Sequence, residues 1–175
     1  MIKGALRPFR VEGNIAYIQL TKGYEAMIDA ADLPLVEANK WFAQEAYYRD
    51  GSVRAVYVVR QIRINGKITP IRLHRVITEA EDGFEVDHIN GNGLDNRREN
   101  LRVCSKAQNQ HNARRRSDNK SGFKGVRWYP KYQKWNTSIR LNGKSKNLGY
   151  FRCPTAAAVA YAKASAELHG DFGRT

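Results

Sequence analysis

The sequence predicts an α+β fold: a β-rich opening segment, a strand-loop-strand-helix centre, and a C-terminal three-stranded antiparallel sheet packed on one helix. Three observations lead there. Apolar and β-branched residues recur in short stretches with loose two-residue alternation. Asn-Gly and Gly turn signals separate those stretches. One Ala-rich run, PTAAAVAYAKASAELHG, starts with Pro and ends at Gly, as helices do.

Along the chain, IAYIQL and YEAMID joined by TKG read as a hairpin over residues 14–29. Asp32 then stands as a cap-like residue before LPLVEANKWF, predicting a short amphipathic helix that ends near Lys40. Residues 53–64 are rich in Val, Tyr, Ile and Arg, and Asn65-Gly66 marks a second hairpin turn. Nothing in residues 1–72 has a catalytic pattern. In residues 73–116, LHRVITEA predicts a short helix and SKAQNQHNARRR another. Between them lies FEVDHINGNGLDNRRENLRVC, whose Asn90-Gly91 and Gly93 break the chain before a short return strand at 101–104. SDNKSG, residues 117–122, is small, polar and charged, and reads as a linker and domain boundary. Residues 123–175 then supply three strands, FKGVRWYP, KWNTSIRLNG and KSKNLGYF, and the Ala-rich helix. In WNTSIRL, Trp135, Thr137, Ile139 and Leu141 fall on one face and Asn136, Ser138 and Arg140 on the other, as in a half-buried strand.

Composition narrows the function. At 175 residues and 42% hydrophobic content the chain can build one ordinary core or two small ones. No apolar run reaches the roughly 18 residues of a membrane helix, and MIKGALRPFR lacks the apolar core of a secretory signal. These features predict a protein that is not secreted and works inside the cell. Cys104 and Cys153 stand alone, so neither a disulfide framework nor structural zinc is expected. The net charge of +13 favours a polyanionic partner, nucleic acid first, through counterion release from phosphates. The excess is uneven: residues 117–175 carry eleven Lys/Arg against three Asp/Glu, net +8, while 73–116 carry eight against seven, net +1. Metal chemistry is therefore expected in the near-neutral middle.

Asp87-His88 places a carboxylate beside an imidazole. The carboxylate can hold a hard cation through oxygen, and an imidazole with an ordinary pKa of about 6.5 can take a proton from water near neutral pH. Alone, such a pair serves equally as a hydrogen-bonded structural element. Its surroundings, DHINGNGLDNRRENLRVCSKAQNQHN, resemble the HNH nuclease motif, in the phage and intron-encoded homing branch where the final His is replaced by Asn. The resemblance implies a ββα-metal core over 73–116, with His88 as general base and Asp87 as a metal ligand. It makes Asn100 a loop brace that positions the base, and Asn109 the last metal ligand. His111 competes for that last position. At about 100° per residue it points roughly 200° from Asn109 on a helix, so both cannot face one ion, and the spacing from Asn100 favours Asn109. Asn112 is a possible support on the same helix face, and His74-Arg75 reads as a supporting helix. The expected cofactor is Mg2+ or another divalent cation such as Mn2+. The expected reaction is hydrolysis of duplex DNA to 5′-phosphate and 3′-hydroxyl ends, and the reading requires the His88 imidazole to face water. Arg97, Arg98, Arg102, Arg114, Arg115 and Arg116 are candidate phosphate contacts. One site per chain favours a monomer, and the resemblance places its work on DNA in a host cell's cytoplasm.

Residues 121–175 resemble the plant ethylene-response-factor (Apetala-type) DNA-binding domain. The carrying residues are Lys124-Gly125-Val126-Arg127-Trp128, Lys134-Trp135 with Ile139-Arg140, Leu148-Gly149-Tyr150-Phe151, and the helix alanines with Tyr161. By position the family's DNA contacts map onto Lys124, Arg127, Ser138, Arg140, Ser145 and Asn147, with Trp128 a further candidate. Lys124, Ser138, Ser145 and Asn147 depart from the residues usual there, so the plant target sequence does not transfer. A rival from another class is a non-catalytic, sequence-specific DNA-binding regulator carrying a vestigial nuclease segment. Intact Asp87, His88, Asn100 and Asn109 speak for the enzyme.

Overall fold

Three antiparallel strands open the chain in a computed structural model that describes residues 8–116 and 118–175. Residues 1–7 and Ser117, the first residue of the expected linker, lie outside the described residues. The strands are β1 (Phe9–Glu12), β2 (Ile15–Gln19) and β3 (Glu25–Asp29), in that spatial order. Pairing of Ala16 with Ile28 and of Ile18 with Ala26 puts four small or branched apolar side chains on one face, and all four are buried.

The helix expected over LPLVEANKWF is one turn, α1 (Leu33–Val36), and Asp32 makes no cap bond to it. The Val36 carbonyl, which a continuing helix would offer to residue 40, instead accepts from the Asn39 N–H (3.1 Å) and the indole N–H of buried Trp41 (3.0 Å). The strand that follows, just beyond the expected helix end at Lys40, is β4 (Phe42–Tyr47). It pairs with β5 (Val53–Ile64), which pairs in turn with β6 (Lys67–Arg72). Asn65 and Gly66 both have positive φ (48° and 79°), as the Asn-Gly signal demands of a two-residue hairpin.

Next come α2 (Leu73–Thr78) and the hairpin of β7 (Glu85–His88) and β8 (Leu101–Cys104). Arg75 donates to the carbonyls of Ala80, Glu81 and Phe84 at 2.9, 3.1 and 2.7 Å, tying the end of α2 to the start of β7. One hydrophobic core runs from Ala16, Ile18 and Ile28 through Val58, Leu73 and Ile77 to Val86 and Leu101. Residues 8–72 and 73–104 therefore share a core within one unit, Met1–Cys104.

The second unit, Ser105–Thr175, begins with α3 (Lys106–Asn112). Ser105 Oγ accepts from the Gln108 N–H and Gln108 Oε1 from the Ser105 N–H, a reciprocal cap that fixes the helix start. The helix stops at Asn112, short of the arginine run, because Ala113 is extended (ψ 138°); Arg114, Arg115 and Arg116 are thus not helical. Strands β9 (Val126–Tyr129), β10 (Lys134–Leu141) and β11 (Lys144–Phe151) form a sheet with β10 central, and α4 (Pro154–His169) packs against it through Ile139, Tyr161 and Ala164. Gly125 has φ 73°, and a Cβ there would lie 2.2 Å from the Tyr161 ring, so only glycine lets the chain pass under α4. No helix among the described residues is long and apolar enough to cross a membrane.

Candidate active site

The β7–β8 hairpin presents Asp87 and His88, and their cross-strand partners are Arg102 and Leu101. Arg102 Nε and Nη2 donate to Asp87 Oδ2 at 2.8 and 2.7 Å, so the carboxylate is held in one orientation. His88 differs from the expectation of an imidazole facing open water: only 6% of the residue is exposed. Its ring is walled by His74 on α2 (centroids 4.9 Å apart) and Tyr57 on β5 (6.3 Å). The physical reason is the sheet: β5 and α2 cover the face of β7 from which His88 projects.

The connection from Ile89 to Asn100 carries the polar framework of the site. Asn100 Oδ1 accepts from the Asn90 N–H (2.9 Å) and its Nδ2 donates to the Asp95 carbonyl (2.7 Å), so one buried amide spans both ends of the loop. Buried Asp95 accepts from Arg97 Nε and Nη2 (both 2.8 Å) and from Asn90 Nδ2 (3.0 Å). These bonds, the Arg97 pair first, hold its carboxyl below the usual carboxylate range. Gly93 allows the loop to lie on β5: a Cβ there would sit 2.3 Å from the Val56 carbonyl oxygen and 2.8 Å from the Tyr57 ring.

Asn96 is fully buried, and no sequence signal marked it. Its Nδ2 donates to the Gly93 carbonyl (3.3 Å), which orients the amide so that Oδ1 faces His88 Nε2 at 3.4 Å. With a carbonyl oxygen opposite, Nε2 carries the ring proton and Nδ1 the lone pair. Burial pushes the His88 pKa down, opposed by the Asn96 bond and by Asp87 and Asp95. His74 is pushed down to about 3 by burial first, then by His88, Arg72 and Arg75. Both shifts favour the neutral ring, the form that can accept a proton.

The N-terminal sheet grips this loop from behind. The Met27 N–H donates to the Leu94 carbonyl (2.8 Å) and the Asn96 N–H to the Met27 carbonyl (2.7 Å), along the outer edge of β3. Arg98, expected on phosphate, pairs with buried Asp32 (Nη2 to Oδ1, 2.7 Å), while its backbone N–H donates to Asp29. Arg97, Arg98 and Arg102 are therefore all occupied by carboxylates of the protein: Asp95, Asp32 and Asp87.

Removing Asn100 tests the brace. Asn100→Ala leaves the Asn90 N–H and the Asp95 carbonyl without their partner, an expected cost of about 1–3 kcal/mol. At several degrees per kcal/mol, that lowers Tm by about 5–15 °C. Calorimetry showing an unchanged Tm would mean that the loop holds itself.

Among the described residues no group of three or more His, Cys, Asp or Glu side chains converges as a metal cluster. What Asp87 offers is one oriented carboxylate, which suits a hard cation that takes its other ligands from amide, water and phosphate oxygens. Asn109, nominated by spacing as the second ligand, and Asn112 belong to α3 of the Ser105–Thr175 unit.

In that unit, register puts Arg127, Asn136, Ser138, Arg140, Ser145 and Asn147 on the sheet face away from α4. There the Asn136 amide accepts from Arg127 Nε (3.3 Å) and donates to Asn147 Oδ1 (2.7 Å), which explains why Asn136 is buried on an otherwise open face. Trp128 pairs with Trp135 and so falls on the helix-bearing face, 47% exposed at its margin. Lys124 precedes β9 and donates to the His111 carbonyl at 2.6 Å. His111 itself stacks on His169, with centroids 3.6 Å apart.

Residues 72–111 match the family model described as HNH endonuclease. Protein 3.8 of Escherichia phage T7 is 32% identical over 108 residues, which span 59% of this chain and 88% of the relative. An uncharacterized HNH endonuclease of Acanthamoeba polyphaga mimivirus is 26% identical over 171 residues, 94% of this chain and 82% of the relative. No solved structure matches significantly. With Asp87, His88 and Asn100 gathered on one braced hairpin and a phage relative aligned over most of its own length, this chain belongs to the HNH endonuclease family.

Proposed function

We propose that the chain is a divalent-metal-dependent endonuclease of the homing type that hydrolyses phosphodiester bonds in duplex DNA. The observation that carries this reading is the Asn96-oriented, neutral His88 next to the Arg102-held carboxylate of Asp87. Asp87, with Asn109 as the resemblance assigns it, would hold Mg2+ or Mn2+. A bound divalent cation would stabilise charge on the phosphate and on the departing 3′ oxygen. His88 Nδ1 takes a proton from the water that attacks phosphorus, the bond to the 3′ oxygen breaks, that oxygen takes up a proton from solvent water, and the ends are a 5′-phosphate and a 3′-hydroxyl. The mechanism requires one water to reach the ring at this 6% exposed position. Asn100 acts through the loop, as a positioning residue.

The Ser105–Thr175 unit is proposed to bind DNA through the open face of its sheet. Arg127, Ser138, Arg140, Ser145 and Asn147 share that face, and Arg to guanine and Asn to adenine are geometrically favoured pairs. Lys124 and Trp128 lie off it.

Incubation of the protein with long duplex DNA and Mg2+ is expected to give discrete strand breaks, fully suppressed by EDTA and restored by excess Mg2+. Site-specific binding with no scission under any divalent metal would instead support the non-catalytic regulator.

A further inference from the structure

A cleft of about 830 Å3 opens within Ser105–Thr175, and its position coincides with no catalytic residue. Lys106 of α3, the run Arg114 to Arg116, Lys124 and Arg140 line it, and no Asp or Glu is among its lining residues. In a chain with 17 acidic residues, six cations around one cleft without a carboxylate form a concentrated positive field. One nearby acid, Asp118, pairs with Arg116, and both side chains are well exposed. Such a surface pair is readily exchanged for a phosphate. Inside, Lys124 is held at a cost: burial, then Arg174, lowers its pKa to about 8, and an anion in the cleft would relieve both effects. The arginines suit phosphate, since a guanidinium fork can bind two of its oxygens at once.

We infer that this cleft is a track for the phosphodiester backbone of one strand, adjoining the open sheet face, with which it shares Ser138 and Arg140. The inference rests on the endonuclease reading for the identity of its partner and adds where the backbone is held. Backbone contacts of this kind bind without reading sequence, and they set affinity and its salt dependence.

The test is fluorescence anisotropy of the full chain on a labelled duplex of arbitrary sequence, with Kd measured across KCl concentrations. The variant is Lys106→Glu with Arg116→Glu, and the control with the same charge change is Lys67→Glu with Lys163→Glu. Each lost phosphate contact removes about 0.9 from the slope of log K against log salt, so the cleft variant should lose about 1.8. Its Kd should weaken at least about tenfold near 0.1 M salt, with the control within about threefold. Lys106→Gln with Arg116→Gln should show the same loss of slope if the glutamates prevent folding. Equal slopes for both pairs would overturn the inference while leaving metal-dependent cleavage, and hence the nuclease reading, intact. A wild-type chain that neither binds nor cuts duplex DNA would overturn both.

Discussion

Replacing His88 with alanine should leave duplex binding within about twofold and lower metal-dependent cleavage by about 10²- to 10⁴-fold, the usual contribution of a positioned general base. The size of the effect follows from what surrounds the ring. Asn96 fixes which nitrogen carries the proton, and burial keeps the imidazole neutral, so loss of His88 removes the acceptor and leaves Asp87 and Arg102 in place. Nicking assays under single-turnover conditions, beside binding measured in EDTA, separate the two quantities. A His88→Ala chain that cleaves at the wild-type rate would end the mechanism. Asn96→Ala provides a graded comparison, because it frees the ring to rotate without removing it.

Replacing Ile28 with alanine should cost about 2–5 kcal/mol, although the residue lies far along the chain from any catalytic side chain. Ile28 is fully buried in the core shared by β2, β5, α2 and the β7–β8 hairpin. Its neighbour Met27 makes the two backbone bonds that hold Leu94 and Asn96. At several degrees per kcal/mol the expected fall in Tm exceeds about 10 °C, and cleavage should fail at temperatures where the wild type still works. Val11→Ala, at a 52% exposed position on β1, is the control and should shift stability by no more than about 0.5 kcal/mol. If Ile28→Ala melts with the wild type by circular dichroism, the N-terminal sheet is not part of the nuclease unit's core.

Much was legible from local signals. Asn65-Gly66 turned where the pattern required, and Pro154 and Gly170 bounded α4. Alternation in WNTSIRL matched the buried Thr137 and Ile139 and the outward Arg140. Asp87, His88 and Asn100 stood out because their spacing resembles the HNH motif. The length of α1 was not legible, since the apolar spacing of LPLVEANKWF fits a helix until the Trp41 indole competes for the Val36 carbonyl. The burial of Asn136 was not legible either, because it comes from Arg127 and Asn147 on neighbouring strands.

Arg98 and Asp32 stand 66 residues apart, and Arg97, Arg98 and Arg102 read in sequence as a basic cluster free for phosphate. Only the folded chain shows each of them closed onto a carboxylate, because ion pairing depends on distance in space, which composition does not carry. By itself the sequence determined most element types and the turns, which are governed by interactions within a few positions. The tertiary structure decided which amide faces the His88 ring, which arginines pair with carboxylates of the protein, and that β3 holds the loop from Ile89 to Asn100. Those outcomes depend on hydrogen bonds between segments that meet only when one hydrophobic core brings them together.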